Sequence, residues 1–280
     1  MPFKNITVFV DLSPGGKARA EYAVKLALKH GSHLVGIFVA PSGWQGNPAE
    51  AYVRGHDAIR QLLERHKAEE AVASATAGLD FQAIASREDI TFEFRIIRQG
   101  DPSESAKLNS LHADLAIVGH ARPGGLPKEW SAEALVVATG VPFLMIPDNW
   151  KGGAIAERVL LGWNASREAR RAITDALPLL VAAQSVCIIV VDPHKNDRHG
   201  EEPGADIAHH LSRHGAHVSV EQLHSHGTAV TSVILDYAAQ NGIDLIVLGA
   251  YSHRWSTELI FGGVTRSMLN NTGIPLLISH

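Results

Sequence analysis

The sequence predicts an α/β protein made of two tandem repeats, each a five-stranded parallel sheet covered by helices in a Rossmann-like arrangement. One observation is that short β-branched runs alternate with stretches of helical periodicity, as they do when helices connect parallel strands. The other is a duplication, because residues 244–278 repeat residues 114–146. Each copy has an apolar strand that ends in glycine, at Gly119 or Gly249, and about 20 residues later a Gly-x-Pro strand that follows Gly140 or Gly273.

The predicted strands are short apolar runs rich in β-branched residues. In the first half they cover residues 6–10, 34–39, 91–97, 115–118 and 143–146. In the second half they cover residues 159–161, 186–191, 218–223, 245–248 and 276–278. The segments that close the repeats, 141–146 and 274–278, are apolar on both faces, so we expect them to be covered by meeting each other across the two halves.

Helical periodicity predicts four helices in each half. Those of the first half cover residues 18–29, 49–75, 103–111 and 132–138. Those of the second half cover residues 167–180, 205–214, 229–240 and 265–270. Ser13 and Ser166 each stand where a strand gives way to a helix, which suits an N-cap, and Pro14 suits a first turn. The run from Ser13 to Lys17 lacks the Gly-x4-Gly-Lys-Ser/Thr spacing of a phosphate loop, which favours a plain turn into the helix.

Composition favours a soluble protein with two domains, residues 1–148 and 156–280. A chain of 280 residues that is 45% hydrophobic can bury two cores of about 140 residues each. Its apolar runs are too short to cross a bilayer, we find no signal-peptide pattern, and the single Cys187 excludes an internal disulfide, so we expect a cytoplasmic location. The net charge of −4 argues against nucleic-acid binding. We expect no membrane partner, unknown protein partners, and a monomeric pseudo-dimer or a homodimer.

Several motifs in order resemble the universal stress protein family in its tandem two-domain form. They are Asp11-Leu12-Ser13 after the first strand, Gly100-Asp101-Pro102-Ser103 before a helix, residues 114–119, and residues 249–265 with Gly262-Gly263-Val264-Thr265. The resemblance covers essentially the whole chain. It implies a sheet of the adenine nucleotide alpha hydrolase-like type in each half. It also implies an ATP or AMP site, with or without Mg²⁺, where Gly-x2-Gly-x9-Gly-Ser/Thr is kept.

The second half has the spacing of that nucleotide motif. Two residues separate Gly249 from Ser252, nine separate Ser252 from Gly262, and Gly263 then opens a helix. A glycine at the carboxyl end of a parallel strand lets the chain pass close to a ligand, and glycines at a helix N-terminus expose N–H groups to a phosphate. The expected cofactor-binding residues are Asn164, Val190, Gly249, Ser252, Gly262, Gly263, Val264 and Thr265.

Three departures from the family pattern leave a second interpretation open, an architectural remnant without ligand. Ser252 replaces the second glycine, Gly263 replaces the Ser or Thr, and Asn164 replaces an aspartate that lies beside the nucleotide in the family. In the first half, Glu129 and Trp130 stand opposite the glycine pair. A carboxylate repels phosphate and an indole fills its space, so we expect no nucleotide site there.

The sequence therefore leaves two classes of function open. The first is a non-catalytic stress-response protein in which nucleotide occupancy alters a surface read by partners, and the alternative is a ligand-free scaffold or interaction protein of the same fold. We find no nucleophile, base and orienting group, so an enzyme is not expected beyond weak ATP hydrolysis. Histidines are dense in the second half, and His210 and His214 share one helical face; the six are His209, His210, His214, His217, His224 and His226. Because the sequence identifies no third ligand, we expect no metal site.

Overall fold

Ten strands lie side by side in the computed structural model, which describes residues 2–40, 56–97, 107–121, 126, 130–195, 199–250, 252–254 and 259–280. The strands of the first half are β1 Asn5–Val10, β2 His33–Val39, β3 Phe92–Ile97, β4 Leu115–Val118 and β5 Phe143–Met145. Those of the second half are β6 Arg158–Gly162, β7 Ser185–Val191, β8 Val218–Leu223, β9 Leu245–Gly249 and β12 Leu276–Ser279. A separate two-stranded hairpin consists of β10 Ser252–Arg254 and β11 Leu259–Phe261. All ten predicted strands are confirmed, whereas the hairpin was not predicted.

The strand order of the large sheet is β3-β2-β1-β4-β5-β12-β9-β6-β7-β8. Within each half the described strands of the large sheet pair in parallel, so each half is the five-stranded parallel sheet that the sequence predicts. In both halves the chain reverses its direction of travel across the sheet between the first and fourth strands. The carboxyl edge at such a switch point is where open α/β sheets hold ligands.

The described residues contain seven helices with defined bounds. They are α1 Pro14–His30, α2 His56–Ala85, α3 Ala132–Thr139, α4 Arg167–Ala182, α5 Ala205–Arg213, α6 Val230–Gln240 and α7 Gly263–Asn271. Residues 107–110 are helical as well, within the predicted helix 103–111, whose first four residues lie outside the described part of the chain. None of the helices searched within the described residues is long and apolar enough to cross a membrane.

The prediction that the long helix ends at residue 75 is wrong, because α2 continues to Ala85. Phe81 packs directly onto Gly36 in β2, where an added Cβ would come within 2.7 Å of its ring, and Ile84 and Ala85 are buried. Phe81 also contacts Phe92 and Phe94 of β3, with ring centroids 6.0 and 5.4 Å away. This tertiary packing extends the helix beyond the point at which its sequence periodicity weakens. The predicted start, residues 49–55, lies outside the described residues.

The two halves join through their last strands, which confirms the expected contact between them. Strands β5 and β12 are antiparallel, with Leu144 opposite Leu277 in the centre of the seam. Side chains connect the halves as well. Lys29 Nζ donates to the carbonyl of Ile155 at 2.8 Å, and His120 Nε2 lies 2.9 Å from the carbonyl of Leu269 in α7. The seam therefore turns two parallel sheets into one continuous sheet.

A hydrophobic core lies on each face of this sheet, and each core includes residues of both halves. One core lies under α1, α2, α4 and α5, and the other under α3, α6 and α7. The two repeated aspartates each bind the backbone at the start of a neighbouring strand. Asp114 accepts hydrogen bonds from the backbone of Lys4 and Asn5, and Asp244 accepts them from Glu157 and Arg158. The aspartate that opens each repeated motif is thus a clamp on the amino end of a neighbouring strand.

Candidate functional site

The first strand of each half ends in the same local structure. Ser13 Oγ accepts a hydrogen bond from the N–H of Gly16 at 3.0 Å and caps α1, and Ser166 Oγ accepts one from Ala169 at 3.1 Å and caps α4. Both predicted N-caps are confirmed, and helix α1 begins at Pro14 without forming a phosphate loop. The side chains of Asp11 and Asn164 orient these serines from two residues upstream.

Asn164 reproduces half of the bonding of Asp11. Its Oδ1 accepts hydrogen bonds from Ser166 N at 3.3 Å and Ser166 Oγ at 2.6 Å, as Oδ1 of Asp11 accepts them from Ser13. The two sites differ in the second polar atom. In Asp11 this atom is a charged oxygen that accepts from Arg19 Nη2 at 2.7 Å, and in Asn164 it is an amide nitrogen.

Arg19 fills the switch point of the first half. It is fully buried, its Nε donates to the carbonyl of Phe9 at 2.6 Å, and its Nη1 lies where a Cβ on Gly119 would have to stand. Burial by itself would raise the pKa of Asp11, but the Arg19 guanidinium and hydrogen bonds from Ser13 hold that pKa below its ordinary value. The carboxylate and the guanidinium are therefore both charged at neutral pH. Six residues after the capping serine, the second half has Ala172 in place of Arg19.

Trp130 closes the same region from the other face of the sheet. Its side chain is fully buried, and its ring meets that of Phe9 edge-on with centroids 4.7 Å apart. The prediction that an indole occupies this space agrees with that position, while Glu129 lies outside the described residues. The residue of the second half that corresponds to Phe9 in the repeat is Gly162, and Leu248 packs against it.

In the second half, the nucleotide-motif residues converge where β9 leads through the hairpin to α7. Gly262 is the N-cap of α7, with φ −58° and ψ 147° and no side-chain hydrogen bond to the helix start. A Cβ added to Gly263 would meet nothing within 4 Å, so the space beside this residue is open. Buried Thr265 donates from Oγ1 to the carbonyl of Gly249 at 3.3 Å, which holds the two ends of the motif together.

The remaining predicted site residues have different surroundings. Val264, in the first turn of α7, exposes 37% of its surface. Val190 is fully buried in the core beneath α4 and α5, so its side chain is part of that core and not of the exposed surface. Ser252 pairs with Phe261 in the hairpin backbone, but its side chain lies outside what the structure describes. Gly249 is held against the start of α4, where an added Cβ would overlap the backbone nitrogen of Ala169.

A shallow groove of about 340 Å³ lies in the first half, between α1 and α2. Asp11, Ser13 and Lys17 line it at one end, and Asp80 and Phe81 of α2 line the other. It lies over the start of α1, away from the α7 loop, so it is separate from the motif of the second half.

Sequence reasoning missed Arg19, although the sequence holds a signal for it. Helix α1 has a buried face of small and apolar residues, and Arg19 lies on it between Gly16 and Ala20. A charged residue on a buried face needs a countercharge, and Asp11 is the carboxylate at the end of the preceding strand. The repeat offers the comparison, since Asp11 and Arg19 are replaced together by Asn164 and Ala172.

Comparison with known proteins agrees with this duplicated architecture. The sequence profile of the Universal stress protein family matches residues 2–146 and again residues 156–280. A universal stress protein of Synechocystis sp. is 22% identical over 304 residues, which cover 98% of this chain and 99% of that protein.

Two solved structures share the fold over the full length of the chain. A universal stress protein from Archaeoglobus fulgidus is 16% identical, with a TM-score of 0.67 and coverage of 98% of this chain and 97% of that chain. A functionally unknown protein from Pseudomonas aeruginosa is 12% identical, with a TM-score of 0.56 and coverage of 99% and 92%. Because the family profile accounts for both halves, the chain belongs to the universal stress protein family.

Proposed function

We propose that this protein binds an adenine nucleotide, ATP or AMP, at the α7 loop of its second half and acts without catalysis. The observation that carries the proposal is the open N-terminus of α7. Two glycines begin the helix, no side chain among the described residues caps it, and Thr265 ties it to the end of β9. Uncapped N–H groups at a helix start, together with the helix dipole, favour a phosphate group.

The matching helix of the first half lacks this opening. Ser131 caps α3 by accepting a hydrogen bond from the N–H of Ala134 at 3.3 Å. The approach along Gly119 is filled by the Arg19 guanidinium, and Trp130 fills the space beside Phe9. This contrast supports one nucleotide per chain, bound in the second half.

Each residue of the second site has a definite role in the proposal. The N–H groups of Gly263 and Val264 donate to phosphate oxygens, and the amide of Asn164 hydrogen-bonds the ribose or the adenine edge. Ser252 contributes a hydroxyl donor from the hairpin. Gly249 and Thr265 hold the loop and the helix start together, and Val190 packs in the core near the carboxyl end of β7.

The protein should bind ATP without hydrolysing it, which can be measured directly. The groups that the proposal assigns to the ligand are amide, hydroxyl and backbone N–H groups, which bind and orient a ligand without taking up a proton. We therefore expect ATP to be recovered intact after prolonged incubation with the protein. Phosphate release that depends on Gly262 would contradict a purely binding role.

The direct test is amide hydrogen exchange with and without ATP or AMP. We expect the nucleotide to protect amides at residues 249–250 and 262–265, because among the described residues the start of α7 is uncapped whereas Ser131 caps the matching helix α3. Amides at residues 119–121 should exchange at the same rate in both conditions. Equal protection in the two halves would show that Arg19 and Trp130 do not close the first site.

Gly262→Asp tests the loop at a single residue. The substitution places a carboxylate at the phosphate position, and we expect nucleotide affinity to fall by roughly 2–4 kcal/mol. Asn270→Asp is the matched control, because it adds the same charge at an exposed position near the other end of α7. Calorimetric titration measures both variants, and melting curves confirm that each is folded. Unchanged affinity in Gly262→Asp would mean that the glycines serve helix packing only.

A scaffold without ligand is the second candidate function. Asn164 supports it, since a nucleotide-binding aspartate of the family is replaced by a neutral residue. In that case neither half gains protection from ATP or AMP, and both Gly262→Asp and the native protein show no heat of binding. The exchange experiment therefore decides between the two classes.

A further inference from the structure

Three potential metal ligands come together at the carboxyl ends of β7 and β8. Asp192 and His194 follow β7, and His224 follows β8, so residues distant in the sequence become neighbours at one edge of the sheet. One ligand atom from each of the three residues lies within 4.8 Å of the other two. The imidazole rings of His194 and His224 are 5.6 Å apart between centroids.

Asp192 has a backbone conformation that residues other than glycine seldom adopt. Its φ is +52°, in the left-handed region, and its residue surface is 7% exposed. Ser225 fixes the carboxylate by donating from its N–H to Oδ1 at 2.8 Å and from Oγ to Oδ2 at 2.6 Å. Such outer hydrogen bonds orient metal-ligating carboxylates in known sites. Local backbone strain persists only where surrounding contacts enforce it, and it concentrates at functional sites.

The same carboxylate already holds a cation from this chain. Lys195 Nζ donates to Asp192 Oδ2 at 2.6 Å, while 62% of the lysine side chain remains exposed. An exposed lysine on a flexible stem can leave this position, which makes the carboxylate accessible to another cation.

We propose that Asp192, His194 and His224 bind a divalent transition-metal ion of the zinc class, which displaces the ammonium group of Lys195. Two imidazoles and one carboxylate suit Zn²⁺ and its neighbours in the first transition row, whereas Mg²⁺ and Ca²⁺ prefer oxygen ligands alone. Tetrahedral zinc with bonds of about 2.0–2.1 Å places its ligand atoms about 3.4 Å apart. Both imidazole side chains are exposed, so small rotations close the difference from 4.8 Å. Solvent completes the coordination.

This site is independent of the nucleotide proposal. It belongs to the outer strands β7 and β8, and none of its residues is part of the α7 loop. Its ligands also differ from the pair noted in the sequence, His210 and His214, whose rings are 4.7 Å apart in edge-to-face contact. Among the described residues, that pair belongs to no group of three convergent ligands.

The test is calorimetric titration of Zn²⁺ into the full-length protein, without a histidine tag, chelator or nucleotide. We expect one tightly bound ion per chain, with affinity reduced more than about tenfold in His194→Ala and in His224→Ala. Asp192→Asn should have the same effect, because asparagine tolerates the left-handed backbone but lacks the charge. His214→Ala is the matched control: it removes an exposed imidazole outside the site, and we expect native affinity.

Lys195→Met separates this geometry from general binding to a histidine-rich surface. Because the variant removes the competing ammonium group, Zn²⁺ should bind about three- to tenfold more tightly. Adventitious binding would leave the affinity unchanged in Lys195→Met and would distribute its losses across all histidine variants. Native affinity in His194→Ala or His224→Ala, in protein with an unchanged melting curve, would overturn the proposal. Both histidines are exposed, so these variants remain informative if Asp192→Asn fails to fold.

Discussion

Arg19 and Asp11 form an ion pair with a nitrogen–oxygen distance of 2.7 Å, and their side chains are only 1% and 8% exposed. The corresponding residues of the second half, Ala172 and Asn164, are both uncharged. The duplicated fold therefore carries two solutions at one position. In the first half a charge pair fills the crevice beside Gly119, and in the second half a small residue and an amide take its place.

Asp11→Asn should destabilise the protein strongly at neutral pH, because it removes the carboxylate that forms an ion pair with buried Arg19. We expect the free energy of unfolding to fall by roughly 3–5 kcal/mol. Asp11→Asn combined with Arg19→Met removes both charges while keeping most of the side-chain volume, and this double variant should be more stable than either single variant. Urea denaturation of the four proteins measures the coupling. Strictly additive effects would show that the two groups do not stabilise each other.

The stability difference between the native protein and Asp11→Asn should depend on pH in one direction only. The folded protein holds the pKa of Asp11 below its ordinary value of 3.8, so the carboxylate stabilises the fold above pH 3.8 and this contribution is lost as the pH falls through the folded pKa. The stability difference between the native protein and Asp11→Asn should thus be constant from about pH 7 to about pH 5. Below pH 3.8 this difference in the free energy of unfolding should become smaller. Urea titrations at a series of pH values measure it, and a difference that grows on acidification would contradict the ion pair.

Gly249 and Gly263 should respond in opposite ways to substitution by alanine. An added Cβ at Gly249 overlaps the backbone of Ala169 and Glu168, which cannot rotate away, so Gly249→Ala should cost roughly 1–3 kcal/mol. A Cβ at Gly263 meets nothing within 4 Å, and its φ is not left-handed. Gly263→Ala should therefore leave stability unchanged or raise it by about 0.4–1 kcal/mol. Thermal melts compare the two, and equal losses would show that the first turn of α7 is not open.

The seam between β5 and β12 should make the two halves unfold together. Leu277 faces Leu144 across the antiparallel pair, both are fully buried, and the core that contains them extends under both halves. Leu277→Ala should cost roughly 2–5 kcal/mol, as large-to-small changes in cores do. Hydrogen exchange should then speed up equally in β1 and in β7, although only β12 is altered. Acceleration confined to the second half would mean that the halves are independent folding units.

Much of this fold is predictable because its signals are local. Each strand is a β-branched run bounded by turn residues, and each capping serine stands directly before its helix, so both can be recognised from neighbouring residues. The end of α2 is not local, since the contact between Phe81 and Gly36 extends it. The hairpin of β10 and β11 escapes prediction because its strands have three residues each, too few to show alternation.

The site features that sequence reasoning missed share one property, which is that each depends on a contact between different structural elements. Arg19 reads as a solvated residue until Asp11 is placed beside it. In the same way, the histidine pattern of the sequence includes His224 but neither of the other two proposed ligands, Asp192 and His194, and the pairing of β7 with β8 brings the three together. The Gly-x2-Ser-x9-Gly spacing, in contrast, belongs to one continuous loop, so its location at the start of α7 could be expected from the sequence.

Asn164→Asp should make nucleotide affinity depend on magnesium, if the second half binds a nucleotide as we propose. Asp11 shows that a carboxylate fits the same turn, because its Oδ1 accepts the serine hydrogen bonds that Oδ1 of Asn164 accepts. The new charge lacks the arginine found in the first half, since Ala172 stands at that position. With Mg²⁺ the carboxylate should tighten ATP binding about tenfold, or about 1.4 kcal/mol, and in chelator it should weaken binding by a similar factor.

Adding Ala172→Arg to Asn164→Asp provides the matched control. The guanidinium would pair with the new carboxylate as Arg19 pairs with Asp11, so the magnesium dependence should disappear. We expect this double variant to bind ATP more weakly than the native protein in both conditions. Calorimetric titration with and without Mg²⁺ compares the three proteins. An affinity of Asn164→Asp that is the same with Mg²⁺ and with chelator would show that the new carboxylate does not reach the metal-bound phosphates, and the expected magnesium dependence would have to be withdrawn.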